Sequence, residues 1–171
     1  DSTAEDALNI VRTDFELVDT EFGHLASDAF DGDFVQGEIK DCAFHDIRGD
    51  GVDLSGSHVW IKSVNLLRIY DKGISVGEGS TVSAENIYAQ EVTLAIASKD
   101  LSQVTVDRLV LSRIWIAGLA AYQKKMEYGP AHITATNVEV RDMSPSALVQ
   151  KGSDVRINGN YAPTVELSIA D

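Results

Sequence analysis

A period of about 22 residues runs through this chain, and it restricts the fold more than any other feature. Starting at Val59, apolar residues follow at offsets 2, 5, 7, 10, 15 and 17: Ile61, Val64, Leu66, Ile69, Ile74 and Val76. Starting at Val104, the same offsets give Val106, Leu109, Leu111, Ile114, Leu119 and Ala121. Units opening at Gly37, Phe15, Val82 and Ile133 repeat the pattern, and a truncated unit opens at Val155 and Ile157. In the Val82 unit the last two positions, Ile96 and Ser98, come one residue early. The Ile133 unit places Met143, Leu148 and Gln150 at its later inward offsets.

Within each unit the alternation has period 2, the signature of strands with one buried face. Three short strands per unit, joined by turns, make one coil of a solenoid. No unit carries the 3.6-residue stripe a helix would need, and the Leu/Asn consensus of leucine-rich repeats is absent. Gly and Ser recur in phase after the third strand, as in Ser55-Gly56-Ser57 and Gly77-Glu78-Gly79-Ser80. The pattern predicts an all-β, right-handed parallel β-helix of about seven coils. Coils stacked about 4.8 Å apart would share ladder hydrogen bonds and one continuous core. Cys42 falls on an apolar column and reads as a small core residue.

The 171 residues suffice for one domain, so 1–171 reads as a single β-helix. The chain opens on Asp1 and has no amphipathic capping helix within residues 1–14, so a domain of a longer protein is expected. Its formal net charge is −13, which opposes binding to nucleic acid. No apolar run is long enough for membrane insertion by a helix.

Outward offsets carry the chemistry. Asp28, Asp31, Asp33, Asp50 and Asp53 cluster on two adjacent coils. They could cap turns, or they could hold a hard cation, for which calcium is the expected ion. No cofactor is required. One spacing of 29 in place of 22 marks an inserted loop, Ala121 to Pro130. Insertions in a tight repeat usually lie on one face, often the binding face. Tyr122, Gln123, Lys124, Lys125 and Tyr128, beside Lys99, suit a sugar or an acidic polymer. Columns alone put these lysines in a positive patch separated along the rod from the aspartates, with Asp53 and Lys99 about 10 Å apart at two coils. His24, His45, His58 and His132 sit on different coils without metal-ligand spacing. Trp60 and Trp115 fall at outward offsets.

The stretches SDAFDGDF (27–34), GDGVDLSGS (49–57), DKGISVGEGS (71–80), ASKDLS (97–102) and AYQKKMEYGP (121–130) resemble a bacterial family of right-handed parallel β-helix repeat proteins of the pectate-lyase-like superfamily. The resemblance covers residues of about 15–160 and implies the same fold. That superfamily includes polysaccharide lyases, epimerases, hydrolases, phage tailspikes, adhesins and modules without enzymatic activity. Val59-Trp60-Ile61 is followed by Lys62 and Ser63, where the pectate lyase motif has Asp and His. The expectation is a non-catalytic module of a secreted, cell-surface or periplasmic protein, binding glycan or another protein domain along one face. The alternative is a lyase or epimerase acting on acidic polysaccharide. There Lys99, Lys124 or Lys125 would serve as base, and a cation on Asp31, Asp33 and Asp53 would neutralise the substrate carboxylate.

Overall fold

The computed structural model describes residues 6–142 and 146–165, and these form an all-β solenoid of about seven coils with no helix among them. Seven short strands come first: β1 (Asp6–Val11), β2 (Asp14–Val18), β3 (Glu21–Leu25), β4 (Asp28–Asp33), β5 (Gln36–Lys40), β6 (Ala43–Ile47) and β7 (Val52–Ser55). Then β8 (His58–Gly77) and β9 (Thr81–Lys99) each run around nearly a whole coil. The rod continues with β10 (Gln103–Ser112), β11 (Ala117–Tyr122), β12 (His132–Arg141), β13 (Ala147–Val149) and β14 (Asp154–Ile157). Finally β15 (Asn160–Tyr161) folds back antiparallel on β14.

All other strand pairs are parallel and build three faces. The first face stacks β2, β5, the start of β8, the start of β9, β10, β12 and β14. The second carries β3, β6 and the middle of β8. The third stacks β1, β4, β7, the end of β8, the end of β9, β11 and β13.

The inward columns are those the period predicts. Ile39, Ile61 and Val106, then Phe44, Leu66, Ala89 and Leu111, then Ile47, Ile69 and Val92, are all buried. Cys42 is buried among them, and its thiol donates to the Lys40 carbonyl at 3.2 Å. The pattern misplaces the sixth coil by one residue. Leu119 pairs with Ala147 and Ala121 with Val149, so Val149 is buried where Leu148 and Gln150 were expected. Met143 lies outside the described residues.

Corners are made by single left-handed residues. Asp19, Asp41, Ser63, Asn86, Arg108 and Asn137 all have φ between 50° and 57° and stack one per coil at offset 4. Asn and Asp tolerate this region best among residues other than glycine, so the recurring Asp or Asn there is a turn signal. The backbone stays in the ladder through the bend: Asp19 N–H donates to Lys40 O, and Asp41 N–H to Lys62 O. A second corner column is His24, Asp46, Arg68, Glu91, Arg113 and Asp142, again with positive φ.

A third device is internal. The Ser57 hydroxyl accepts from Val35 N–H at 3.0 Å, and Ser80 Oγ accepts from Ser57 N–H at 2.9 Å. Ser102 Oγ accepts from Ser80 N–H at 3.1 Å, and Ser153 Oγ from Ala131 N–H at 3.0 Å. Where the chain leaves the third face, four buried hydroxyls thus each meet an amide of the coil below, and Ala131 takes the equivalent position between Ser102 and Ser153.

Candidate functional site

Three outward regions carry chemistry. The first is the third face, where the sequence placed both its aspartate cluster and its loop lysines. Asp31 pairs in register with Asp53, Asp53 with Ser75, and Lys99 with Tyr122. The predicted residues therefore do share a face. Their charges, however, are not separated. Lys99 Nζ lies 3.7 Å from Asp53 Oδ1, against the roughly 10 Å expected from coil spacing alone. The intervening coil offers Gly77, where a Cβ would stand 3.4 Å from Lys99 Cε, so the lysine lies flat across it. Lys72 Nζ sits 3.1 Å from Asp50 and 2.7 Å from Asp71. Burial opposes the Lys72 charge, but Asp50 and Asp71 outweigh it and hold the amine more firmly protonated than usual.

Two aspartates act as caps. Asp28 Oδ1 accepts from Asp50 N–H at 2.6 Å, and Asp50 Oδ1 accepts from Lys72 N–H at 2.9 Å. Carboxylate oxygens of Asp28, Asp50 and Asp53 lie within 4.8 Å of one another, a donor set suited to a hard cation, and two amines already lie against it. Asp33 stands beside Ser55 in the neighbouring column. Burial, followed by the charges of Asp33, Asp53 and Asp6, pushes the Asp31 carboxyl up to about 6.

This shift has a sign. The native state holds the Asp31 proton more tightly than the unfolded chain, so the stabilisation is complete below the ordinary value of 3.8 and is lost as pH rises through about 6. Asp31→Asn should therefore raise the melting temperature at about pH 8 and leave it unchanged at about pH 3.5. Equal shifts at the two pH values in thermal melts would refute the assignment.

The inserted loop is built around its own contacts. Asp100, a buried residue that the sequence reading passed over, accepts the backbone N–H groups of Lys124 and Lys125 on one carboxylate oxygen, at 2.6 and 2.7 Å. The Gln123 side-chain amide donates to the carbonyls of Lys125, Met126 and Tyr128. Lys125 is paired with Glu78. Tyr122 is half-buried, and burial first raises its phenol above the usual value. With Lys99, Lys72 and Lys125 all paired to carboxylates, the loop forms no separate positive patch; Lys124 points to solvent.

The second region is on the first face. Trp60 is 68% exposed and stands between Glu38 on one coil and Ser83 on the next. Beyond Ser83 comes Thr105. The small Ser83 and Thr105 beside a large indole leave a step in the surface. A hollow of about 740 Å³ opens beside Glu16, Gln36, Glu38, His58, Thr81 and Ser83. A second of about 480 Å³ lies beside Lys40, Lys62, Glu85, Asp107 and Arg108, and Trp60 borders both. The charges in the second hollow are tied to each other: Lys62 meets Glu85 at 3.5 Å, and Arg108 pairs with Glu85 and Asp107. The two hollows make a trough of mixed polar and apolar lining with the indole at its centre.

The third region is the corner of His24, Asp46 and Arg68. His24 and His45, expected to be unrelated, have ring centroids 5.3 Å apart. Their spacing of 21 in place of 22 puts them diagonally on adjacent coils. His45 bonds Asp46 at 2.9 Å and Glu21 at 2.7 Å, and these bonds, Asp46 first, raise its pKa. Asp46 also takes a two-pronged hydrogen bond from Arg68, at 2.5 and 2.8 Å, and is held well below the usual carboxylate range. Nitrogen and oxygen donors of His24, His45 and Asp46 come within 4.8 Å of one another. Arg68, however, occupies Asp46, and two carboxylates occupy His45, so the group is a self-satisfied charge ladder.

Compared with protein-family models, curated proteins and solved structures, the chain finds no match.

Proposed function

We propose that this chain is a non-catalytic β-helix module of a secreted or cell-surface protein and that it binds a glycan in the trough on its first face. The carrying observation is Trp60, exposed over two-thirds of its surface at the centre of a groove two hollows long that is lined by both polar and apolar groups. An indole face stacks on the apolar face of a sugar ring, while carboxylates, amides and hydroxyls take up its hydroxyl groups. Glu16, Glu38, Gln36, Ser83 and Thr81 are the groups on offer. Glu16 and Glu38, which have no ion-pair partner among the described residues, favour a neutral, hydroxyl-rich polymer at this face over an acidic one.

The chemistry of the third face supports binding over catalysis. Elimination from a uronate needs a base whose pKa burial has lowered, but Lys72, Lys99 and Lys125 lie against carboxylates, Lys124 stands exposed to solvent, and the Tyr122 phenol is raised. Calcium on Asp28, Asp50 and Asp53 is compatible with this reading but not needed for it.

Trp60→Ala should weaken binding to the polysaccharide selected from a glycan array by about tenfold or more. The melting temperature should stay within about a degree, because the ring is exposed. An array on which the unmodified protein binds no glycan, or an affinity unaffected by the substitution, would overturn the proposal.

A further inference from the structure

Seven arginines occur in the chain, and six have partners. Arg68 holds Asp46, Arg108 holds Glu85, Arg113 holds Glu91 and Arg141 holds Glu139. Arg12 lies over the Phe34 ring and Arg156 over Tyr161. The Arg48 side chain has no hydrogen-bond or ion-pair partner among the described residues and is exposed. In a protein of net charge −13, with carboxylates in excess, a guanidinium left unpaired is a notable departure.

Its surroundings form a site. Arg48 lines a cavity of about 460 Å³ together with His24, Leu25, Ala26, Asp46 and Tyr70. Asp46, the one carboxylate there, is already engaged by Arg68 and His45. Arg48 falls at offset 11 of its coil, and the same column continues through Tyr70, Thr93 and Trp115. Tyr70 and Trp115 are each about half exposed, and their ring centroids are 5.4 Å apart across the small Thr93, whose hydroxyl is turned onto the Tyr70 carbonyl. Arg48 to Trp115 spans three coils, about 14 Å at the spacing of stacked strands, room for more than one sugar ring.

We propose that this strip is a second ligand site, separate from the Trp60 trough, and that it takes an acidic sugar chain, with Arg48 pairing a uronate carboxylate while Tyr70 and Trp115 stack on neighbouring rings. Arginine matches a carboxylate with two parallel donors, and its planar guanidinium is more weakly hydrated than an ammonium, so it gives up water to the ligand at lower cost. A peptide cannot dock here by adding a strand, because the mid-rod strands are paired on both edges. Recognition must come from rings and guanidinium. The inference deepens the glycan-binding reading but assigns a different face and the opposite ligand charge.

The test uses the 171-residue protein with three probes: a galacturonic acid hexamer, its fully methyl-esterified form, and hexaglutamate. The acid hexamer should bind, weaken with added salt, and lose at least about tenfold in affinity with Arg48→Ala. Tyr70→Ala should weaken it too, and Trp60→Ala should leave it unchanged. The ester should bind at least about tenfold more weakly. No binding of the acid hexamer, equal binding of the ester, an unaffected Arg48→Ala protein, or equally tight hexaglutamate would each overturn the proposal. Because both side chains are exposed, unchanged thermal melts should accompany both substitutions. Failure here with neutral glycan still lost in Trp60→Ala would leave the first site standing, and the reverse outcome would remove the first site alone.

Discussion

Ile69→Asp should abolish the cooperative thermal transition. Ile69 is fully buried on the second-face column, in register with Ile47 below and Val92 above. A carboxylate placed there would have no cation and no donor, because every neighbour along the column is aliphatic. Neutralising it or opening the coil costs several kcal/mol, roughly 4 or more, which is a large part of a domain's total stability. In a solenoid each coil rests only on its neighbours, so a break at the third coil exposes two new ends. Circular dichroism should show strand signal lost or a broad melt shifted by tens of degrees. Ile69→Val, which removes one methylene, should cost only about 0.5–1.5 kcal/mol and keep the transition sharp. A sharp, unshifted melt for the aspartate variant would refute the column.

Ser80→Ala should cost about 1–3 kcal/mol, although it removes a single oxygen. Ser80 is fully buried, accepts from Ser57 N–H at 2.9 Å and donates to the Gly77 carbonyl at 2.6 Å. Without the hydroxyl the Ser57 amide has no acceptor in a dry corner. The melting temperature should fall by about 3–10 °C for a chain of this size. Hydrogen exchange at Ser57 should lose protection before the amides of β10. Unchanged protection there would mean that another group, or water, replaces the hydroxyl and that the serine ladder is dispensable.

Much of the fold could be read directly from residue order. A strand's side chains alternate strictly, so the recurrence at offsets 0, 2, 5, 7, 10, 15 and 17 determines which residues face inward and how coils register. The one slip shows the limit of this logic. Ala147, Leu148 and Val149 are consecutively apolar, so their alternation carries no phase, and only packing against Leu119 and Ala121 placed Val149 inside. The corner residues at offset 4 form a column in which Asp or Asn fills four of six positions, with Ser63 and Arg108 in the others, and apolar spacing carries no trace of it.

The sites divide differently. Column arithmetic brought Asp31, Asp53, Lys99 and Tyr122 to one face, because it predicts where each Cβ stands. It says nothing about where a long side chain comes to rest. Lys99 reaches Asp53 only because the coil between them presents a glycine, which turned an expected positive patch into an ion pair. Arg48 is the converse case: its column is legible in the sequence, but its lack of a partner appears only once every other arginine has been placed. Period and phase are properties of the backbone that local pattern can specify. Charge pairing and exposure depend on distances among side chains from different coils, and those exist only in the folded rod.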